Sequence, residues 1–441
     1  MRLPLLSKLD HHMREVVQGA SVAFLLKVLA SGLTLALNVT LTRLLGAEGA
    51  GIYFQALTVV LFAAVFGRLG MARTMLRFTA ANAEAGNWAA VKGLYLKGMR
   101  IAFMASLVAT VVVAVSGGWL ADIVFSEPKL GGPICWISLA VVPLSLSFIY
   151  AHLLKGIKHI RDALSVESAI IPGVALLGTA ALAPGWGVRG AIWAYSLATM
   201  VALLVGFRLW HRAAPQMRGV VGHFDTKIML ASSMPLFWVS LLQLVTSWSS
   251  TFMLGIWRTS AEVGLFAIPN RTAMLISFFH IAMISVTAPK FAALYSQGDI
   301  RALGRTARSS AKLTTLAAAP ICAVFVFAPG LVMSIFGSQF SEGGVVLAIL
   351  TVGQFVNVVT GSVQITLNMC GYERLMRNLT AGCAVMLIAA NALLIPRWGM
   401  VGAAIATSLT FIVQNLIAAW LVRLRLGIWT IPFLKSGIRH K

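Results

Sequence analysis

Long apolar runs, separated by short polar or basic stretches, dominate the residue pattern of this chain. Most of the runs approach the roughly 20 residues that a helix needs to cross about 30 Å of hydrocarbon. They show no two-residue alternation, and in lipid a helix satisfies every backbone N–H and C=O within its own segment. We therefore predict twelve transmembrane helices, over residues 17–44, 51–72, 99–120, 132–154, 164–183, 190–209, 230–256, 264–288, 313–336, 344–369, 379–396 and 400–422.

A repeated phrase indicates that the chain has two related halves. The segment WGVRGA begins at Trp186 and WGMVGA at Trp398, so the copies are separated by close to half of the 441 residues. Two glycine pairs have nearly the same separation: Gly51 with Gly264, and Gly156 with Gly371. Because each repeat has an even number of spans, both copies begin on the same membrane face, which predicts parallel lobes around a shared binding site.

The predicted fold is therefore an all-α polytopic membrane protein, with two repeated six-helix lobes around a central cavity. Around each repeated phrase, proline and glycine favour a tight turn, and the small residues that follow allow close helix packing. The predicted divisions are a cytoplasmic N-terminal tail, an N-lobe, a basic linker, a C-lobe and a basic cytoplasmic C-terminal tail: 1–16, 17–209, 210–229, 230–422 and 423–441.

Composition and charge support a membrane protein. With 59% hydrophobic and 11% charged residues, the chain is too apolar for one soluble domain of its length. The net charge of +22 comes mostly from basic residues in the tails and in alternate loops, which fixes both termini in the cytoplasm by the positive-inside rule. The outer side keeps only Arg43, Lys129, Arg189, Arg258 and Arg397.

This distribution of charge predicts contact with membrane lipids and none with nucleic acid, because no basic patch is interleaved with aromatic residues. The N-terminus lacks the pattern of a removable signal peptide. The four cysteines, which fall in or beside apolar runs without metal-ligand spacing, are expected to pack as small hydrophobic residues. No metal or cofactor is expected.

Three motifs, each recurring in both halves, resemble those of a known superfamily. They are G-x-Y/F at Gly51 and Gly264, a K-G or C-G-Y-E-R turn at Gly156 and Gly371, and P-x-W-G-x-x-G-A before the sixth and twelfth helices. In this order they resemble the multidrug/oligosaccharidyl-lipid/polysaccharide exporter superfamily over about residues 16 to 425. The length and the number of helices resemble its polysaccharide branch, the Wzx-type flippases.

The resemblance implies a flippase that moves undecaprenyl-pyrophosphate-linked oligosaccharide units across the bacterial cytoplasmic membrane. Transport would proceed by alternating access and feed surface polysaccharides such as O-antigen, lipopolysaccharide and exopolysaccharide, without any bond being made or broken. It further implies a monomer whose partners are the lipid-linked oligosaccharide, a polysaccharide polymerase and assembly proteins.

Three cations inside predicted spans are candidates for binding pyrophosphate: Lys27, Arg68 and Arg271. A charge at a helix centre costs about 2.5–3.5 kcal/mol on the insertion scale, so it normally faces a cavity. No acid lies deep in any predicted span, and such a site suits an anion. The alternatives are a snorkelling Lys27 and an Arg68 that anchors the helix end together with Arg73 and Arg77.

Polar uncharged residues at helical spacing are candidates for lining a glycan cavity. Those after Lys27 are Ser31, Thr34 and Asn38, on the seventh span Gln243, Ser247 and Ser250, on the eighth Asn270, and on the tenth Gln354, Asn357, Gln364 and Asn368. Amides and hydroxyls offer the donors and acceptors that sugars require. The alternative role of these residues is hydrogen bonding between helices.

Two other classes of function remain open. An ion-coupled drug or metabolite antiporter of the same superfamily would ordinarily carry an intramembrane carboxylate, and a glycan polymerase, ligase or acyltransferase would need sizeable outer loops. His280 is a candidate proton relay or a core residue. The topology places positions 157 and 303 in the cytoplasm and positions 185 and 397 outside.

Overall fold

A computed structural model describes residues 11–432, which contain helices and turns but no β-strand. The predicted tails, 1–16 and 423–441, lie partly outside this range. The helices are α1 His11–Arg68, α2 Met71–Glu84, α3 Trp88–Trp119, α4 Gly131–Ile137, α5 Val141–Gly156, α6 Ile160–Leu164, α7 Ile170–Ala213, α8 Thr226–Trp257, α9 Ser260–Ala273, α10 Ser277–Ser296, α11 Ile300–Phe327, α12 Pro329–Ser334, α13 Gly344–Thr360, α14 Val363–Met369 and α15 Glu373–Leu426.

By length and composition, eight helical stretches in the described range are able to cross a membrane. Three of them are about twice as long as one crossing requires: Leu25–Arg68 with 44 residues, and Ile160–Ala213 and Glu373–Leu426 with 54 residues each. Each contains one glycine with non-helical backbone angles, at Gly46, Gly187 and Gly399, respectively. An all-α polytopic membrane fold is thus confirmed.

The twelfth predicted span, 264–288, runs through α9 and α10, which a short 3-10 turn at Met274–Ile276 separates. The tenth predicted span, 344–369, is not one helix, because α13 ends at Thr360 and α14 begins at Val363. Gly361 between them has φ 76° and ψ −165°. This interruption changes which side chains share a face, as described below.

The repeated phrase forms the same turn in α7 and in α15. Gly187 has φ 54° and Gly399 φ 55°, left-handed values that glycine adopts without strain. Three residues later the chain packs back on its own preceding arm: a Cβ on Gly190 would lie 2.5 Å from the carbonyl oxygen of Leu182. In the second copy, Gly402 meets the Leu394 carbonyl in the same way, at 2.3 Å. The predicted turn and the predicted close packing are both confirmed.

The described residues group into two compact units. The first contains residues 1–44, 56–124 and 128–241, and the second residues 45–55, 125–127 and 242–441. In the first, Trp210, fully buried, packs in a cluster with residues of α2, α3 and α5. In the second, Phe291, also fully buried, packs with residues of α11, α14 and α15. The lobe limits predicted from the repeat remain a prediction, because these units follow spatial contact rather than chain order.

Within the second unit, a pair of repeat-related glycines makes a reciprocal backbone contact. A Cβ on Gly51 would lie 1.6 Å from the carbonyl oxygen of Ser260, and a Cβ on Gly264 would lie 2.2 Å from that of Ala47. Each added Cβ would also lie 3.1 Å from the backbone nitrogen of the other glycine. Only glycine fits at these two positions without a shift of the backbone.

Candidate functional site

Arg271 lies in the last turn of α9, where its guanidinium stacks on aromatic rings from two other helices. Its Cζ atom is 4.4 Å from the centre of the Phe54 ring of α1 and 5.0 Å from that of the Trp248 ring of α8. Such cation–π contacts hold a guanidinium through its faces, whereas its N–H groups donate in the plane. The side chain is half-buried. The predicted pyrophosphate ligand is therefore a positioned cation in the second unit.

Lys27 is exposed on the first arm of α1, and the polar residues that follow it at helical spacing become progressively more buried. The hydroxyl of Ser31 donates to the carbonyl of Lys27 and that of Thr34 to the carbonyl of Ala30, both at 2.8 Å. Asn38 is 4% exposed. Because α1 is helical from Lys27 to Asn38, the four side chains share one face, as the sequence predicts.

Arg68 is the last residue of α1 and lies at a sharp break in the chain. The next two residues, Leu69 and Gly70, have φ of 45° and 73° before α2 begins. The Cζ atom of Arg68 is 4.3 Å from the centre of the Phe148 ring of α5. Lys27 and Arg68 belong to the first unit and Arg271 to the second, so neither unit by itself contains all three predicted cations.

The prediction that the polar residues of the tenth span form one continuous face is wrong, because Gly361 interrupts the helix. Helical spacing therefore relates Gln354 to Asn357 on α13, and Gln364 to Asn368 on α14, but not the two pairs to each other. Gln354 accepts a hydrogen bond from Ser277 at 2.9 Å, and Gln364 donates to Asn415 at 3.4 Å. Asn270, Asn357 and Asn368 are half-buried.

The predicted face of α8 divides into an exposed part and a buried part. Gln243 and Ser247 are exposed, whereas Ser250 is 7% exposed. The Ser250 hydroxyl lies 2.9 Å from that of Thr407 and receives a hydrogen bond of 3.0 Å from Asn391, both on α15. Ser250, together with Gln354 and Gln364, therefore makes the interhelical hydrogen bonds that the sequence left as the alternative to a glycan contact.

This difference predicts separate outcomes for two substitutions. Ser250→Ala should lower the stability of the purified protein by about 0.5–2 kcal/mol, because Asn391 loses a buried partner, while transport per folded molecule is kept. Asn357→Ala should leave stability nearly unchanged and reduce transport. Thermal unfolding in detergent and transport normalised to folded protein would measure both. A transport loss confined to Ser250→Ala would contradict the assignment.

The sequence analysis did not select a charged group around α5. Lys155 forms an ion pair with Glu167, and the Nδ1 atom of His152 is 2.9 Å from the carbonyl oxygen of Phe148. The signal available in the sequence was the spacing of His152 and Lys155, which places both on one side of a helix near its end. Arg68, His152, Lys155 and Glu167 together are called the α5 cluster below.

The remaining candidates have simpler surroundings. His280 is 8% exposed, and its Nδ1 atom has no hydrogen-bond partner among the described residues. Cys322, Cys370 and Cys383 are buried, as expected of packing residues, but Cys135 is exposed. In the described part of the chain, no group of three or more His, Cys, Asp or Glu residues is arranged to hold a metal ion.

Comparison with known sequences identifies the family. The profile of the polysaccharide biosynthesis protein family matches residues 16–295, more than half of the chain. The chain belongs to this family. A relative from Haloferax volcanii, described as probable low-salt glycan biosynthesis flippase Agl15, is 24% identical over 388 residues, which are 84% of this chain and 80% of the relative.

Solved structures show that the fold of this family member is that of the exporter superfamily. An inward-facing multidrug resistance MATE transporter of the MOP superfamily superposes with a TM-score of 0.74 at 15% identity, covering 92% of this chain and 98% of the other. The lipid II flippase MurJ, in an inward closed conformation, gives 0.70 at 11% identity and covers 92% and 87%. The superfamily and its polysaccharide branch, which the sequence motifs resemble, are both confirmed.

Proposed function

We propose that this chain is a flippase that moves undecaprenyl-pyrophosphate-linked oligosaccharide units across the cytoplasmic membrane for the synthesis of a surface polysaccharide. Membership of the polysaccharide biosynthesis family supports this function. So does the likeness to Agl15, itself described as a glycan biosynthesis flippase. The anionic substrate is inferred from the cations that this chain keeps within its membrane-spanning helices.

The stacked Arg271 is the observation that carries the proposal. A guanidinium at membrane depth is costly, and aromatic rings on both α1 and α8 hold this one in place. Its planar fork of donors matches the oxygens of a phosphate, whereas the ammonium of Lys27 serves as a compact positive charge. Arg68 is a weaker candidate for the same role, because Arg73 and Arg77 follow it on α2.

The half-buried and exposed amides and hydroxyls are the proposed contacts of the glycan. Asn270, Asn357, Asn368, Gln243 and Ser247 fit this role better than Ser250, which is bonded within the helix packing. The lipid tail would stay in the bilayer while two six-helix lobes alternate between inward and outward access. A polysaccharide polymerase and assembly proteins would act on the unit after release.

A drug or metabolite antiporter is the second candidate, since the solved relatives of this fold include multidrug transporters. The two functions differ in the charge of the substrate. Complementation of a strain that lacks its flippase, with surface polymer and lipid-linked intermediate measured separately, tests the first function. Failure of complementation together with export of a cationic dye would favour the antiporter.

Membrane topology gives a further prediction, with both termini proposed to lie in the cytoplasm. Single cysteines at Lys158 and Gln297 should react with an impermeant maleimide only after the membrane is opened, and cysteines at Gly185 and Arg397 should react in intact cells. Gln297 replaces position 303 of the sequence-based map because Leu303 is fully buried and Gln297 is exposed. Labelling of Lys158 and Gly185 from the same side would overturn the topology.

A further inference from the structure

The α5 cluster joins four membrane-spanning segments of the first unit through one charged group. Arg68 ends α1, His152 and Lys155 lie on α5, and Glu167 lies on the segment that leads into α7. The ring of Phe148 connects two members, because it lies 4.3 Å from the Cζ atom of Arg68 and 4.5 Å, between ring centres, from His152. Tyr195 of α7 adds an electrostatic interaction with Arg68.

Glu167 reaches Lys155 from an irregular stretch of backbone. Residues Ser165–Ala169 form a single π-helical turn between α6 and α7. Such turns insert one residue into a helix and redirect its side chains, and they occur frequently at functional sites. Both side chains of the ion pair keep about a fifth to a quarter of their exposure, 24% for Lys155 and 21% for Glu167, so the pair is open to exchange with another anion.

His152 is the one member of the cluster whose charge ordinarily changes near neutral pH. Its Nδ1 atom faces the Phe148 carbonyl at 2.9 Å, which requires a hydrogen on Nδ1 and leaves Nε2 to gain or lose a proton. The charged groups that act on His152 are Lys155, Glu167 and Arg68. Two cations thus stand against one carboxylate, and this balance favours the neutral imidazole until a further anion arrives.

We propose that the α5 cluster is a proton-linked anion site, in which His152 takes up a proton at Nε2 when a pyrophosphate group binds beside Arg68 and Lys155. The proposal rests on the proposed function, because it takes the anion to be the headgroup of an isoprenyl pyrophosphate. Free inorganic pyrophosphate shares the same chemistry, and the two sources are separated by experiment. No covalent bond changes; the proton comes from water and returns to it when the anion leaves.

Linkage sets the sign of the pH effect. If anion binding adds a proton to His152, then a proton on His152 must tighten anion binding by the same factor. Affinity should therefore be highest at low pH and fall as the pH rises through the range in which the imidazole of the complex loses its proton. Glu167 competes with the anion for Lys155, so its removal should tighten binding.

The experiment uses the full-length chain in detergent, mixed with farnesyl pyrophosphate or with inorganic pyrophosphate in a weak buffer that contains a pH indicator. Binding itself is followed by calorimetry between about pH 6 and pH 8. We expect the wild type to take up as much as about one proton per bound farnesyl pyrophosphate, beyond any uptake by the ligand itself. His152→Asn keeps a donor toward Phe148 and should bind the ligand without this extra uptake.

His211 provides a matched control. It lies on α7 with its Nδ1 atom 2.9 Å from the Phe207 carbonyl and its ring 4.2 Å from the Phe207 ring, but it is only half-buried and outside the cluster. His211→Asn should therefore behave as the wild type. If His152→Asn does not fold, Glu167→Gln serves instead and should bind about fivefold more tightly, the lower end of a typical coupling between sites.

The outcomes separate the two proposals. Absence of farnesyl pyrophosphate binding in the wild type would overturn the proposed function. Binding with no proton uptake, uptake that survives His152→Asn, or Glu167→Gln binding no tighter than the wild type would overturn the proton-linked site alone. Equal binding and uptake with inorganic pyrophosphate would assign the site to free pyrophosphate rather than to a lipid headgroup.

Discussion

Replacement of Arg271 by alanine should abolish surface polysaccharide while the protein remains inserted at near-normal abundance. The guanidinium would lose its charge-assisted contacts to the pyrophosphate, worth about 1.5–3 kcal/mol each, which corresponds to at least a tenfold loss in affinity. Arg271→Lys keeps the charge but loses the planar fork and the ring stacking, so partial activity is expected. Lys27→Ala should act as Arg271→Ala does, and Lys27→Arg should retain part of the function.

The matched control for this experiment is Arg189→Ala. Arg189 also stacks on an aromatic ring, with its Cζ atom 4.6 Å from the centre of the Trp136 ring, but it is exposed beside the Gly187 turn. Its removal should leave surface polymer unchanged, and Arg68→Ala should give an intermediate defect. The readout is polymer on the surface and lipid-linked intermediate inside a flippase-deficient strain. Full surface polymer from the Lys27→Ala, Arg271→Ala double variant would reject pyrophosphate binding by these residues.

The second large effect concerns folding rather than transport. Gly51→Ala should destabilise the protein by about 3 kcal/mol or more, because the added Cβ would lie 1.6 Å from a backbone carbonyl oxygen that no rotamer change can move. Gly264→Ala should have a similar effect through the Ala47 carbonyl. Both variants should show low abundance and a lowered unfolding temperature in detergent, measured by size-exclusion chromatography and thermal unfolding.

Gly382→Ala is the control for the glycine pair. Gly382 lies inside α15 with no atom within 4 Å of an added Cβ, so alanine should be neutral or stabilising by up to about 1 kcal/mol through its higher helix propensity. Wild-type abundance and unfolding temperature for Gly51→Ala would show that the close backbone contact is not required.

The sequence by itself determined the membrane class, the helical segments and the repeat. Bilayer thickness fixes how many apolar residues a crossing needs, and backbone hydrogen bonding in lipid leaves a helix as the structure of such a segment. The turns at Gly187 and Gly399 were also predictable, because local backbone sterics decide where glycine is required. These properties depend on a few neighbouring residues, and a linear pattern records them.

Only the tertiary structure decided what each polar side chain contacts. Helical spacing placed Ser250 on a face with Ser247, but the partner that buries it, Asn391, lies 141 residues further along the chain. Gly361 interrupts a run that hydropathy makes continuous, and the pairing of Lys155 with Glu167 depends on a π turn that composition does not reveal. Side-chain partners depend on how helices are packed against each other, and apolar periodicity specifies that a helix is buried without specifying its neighbours.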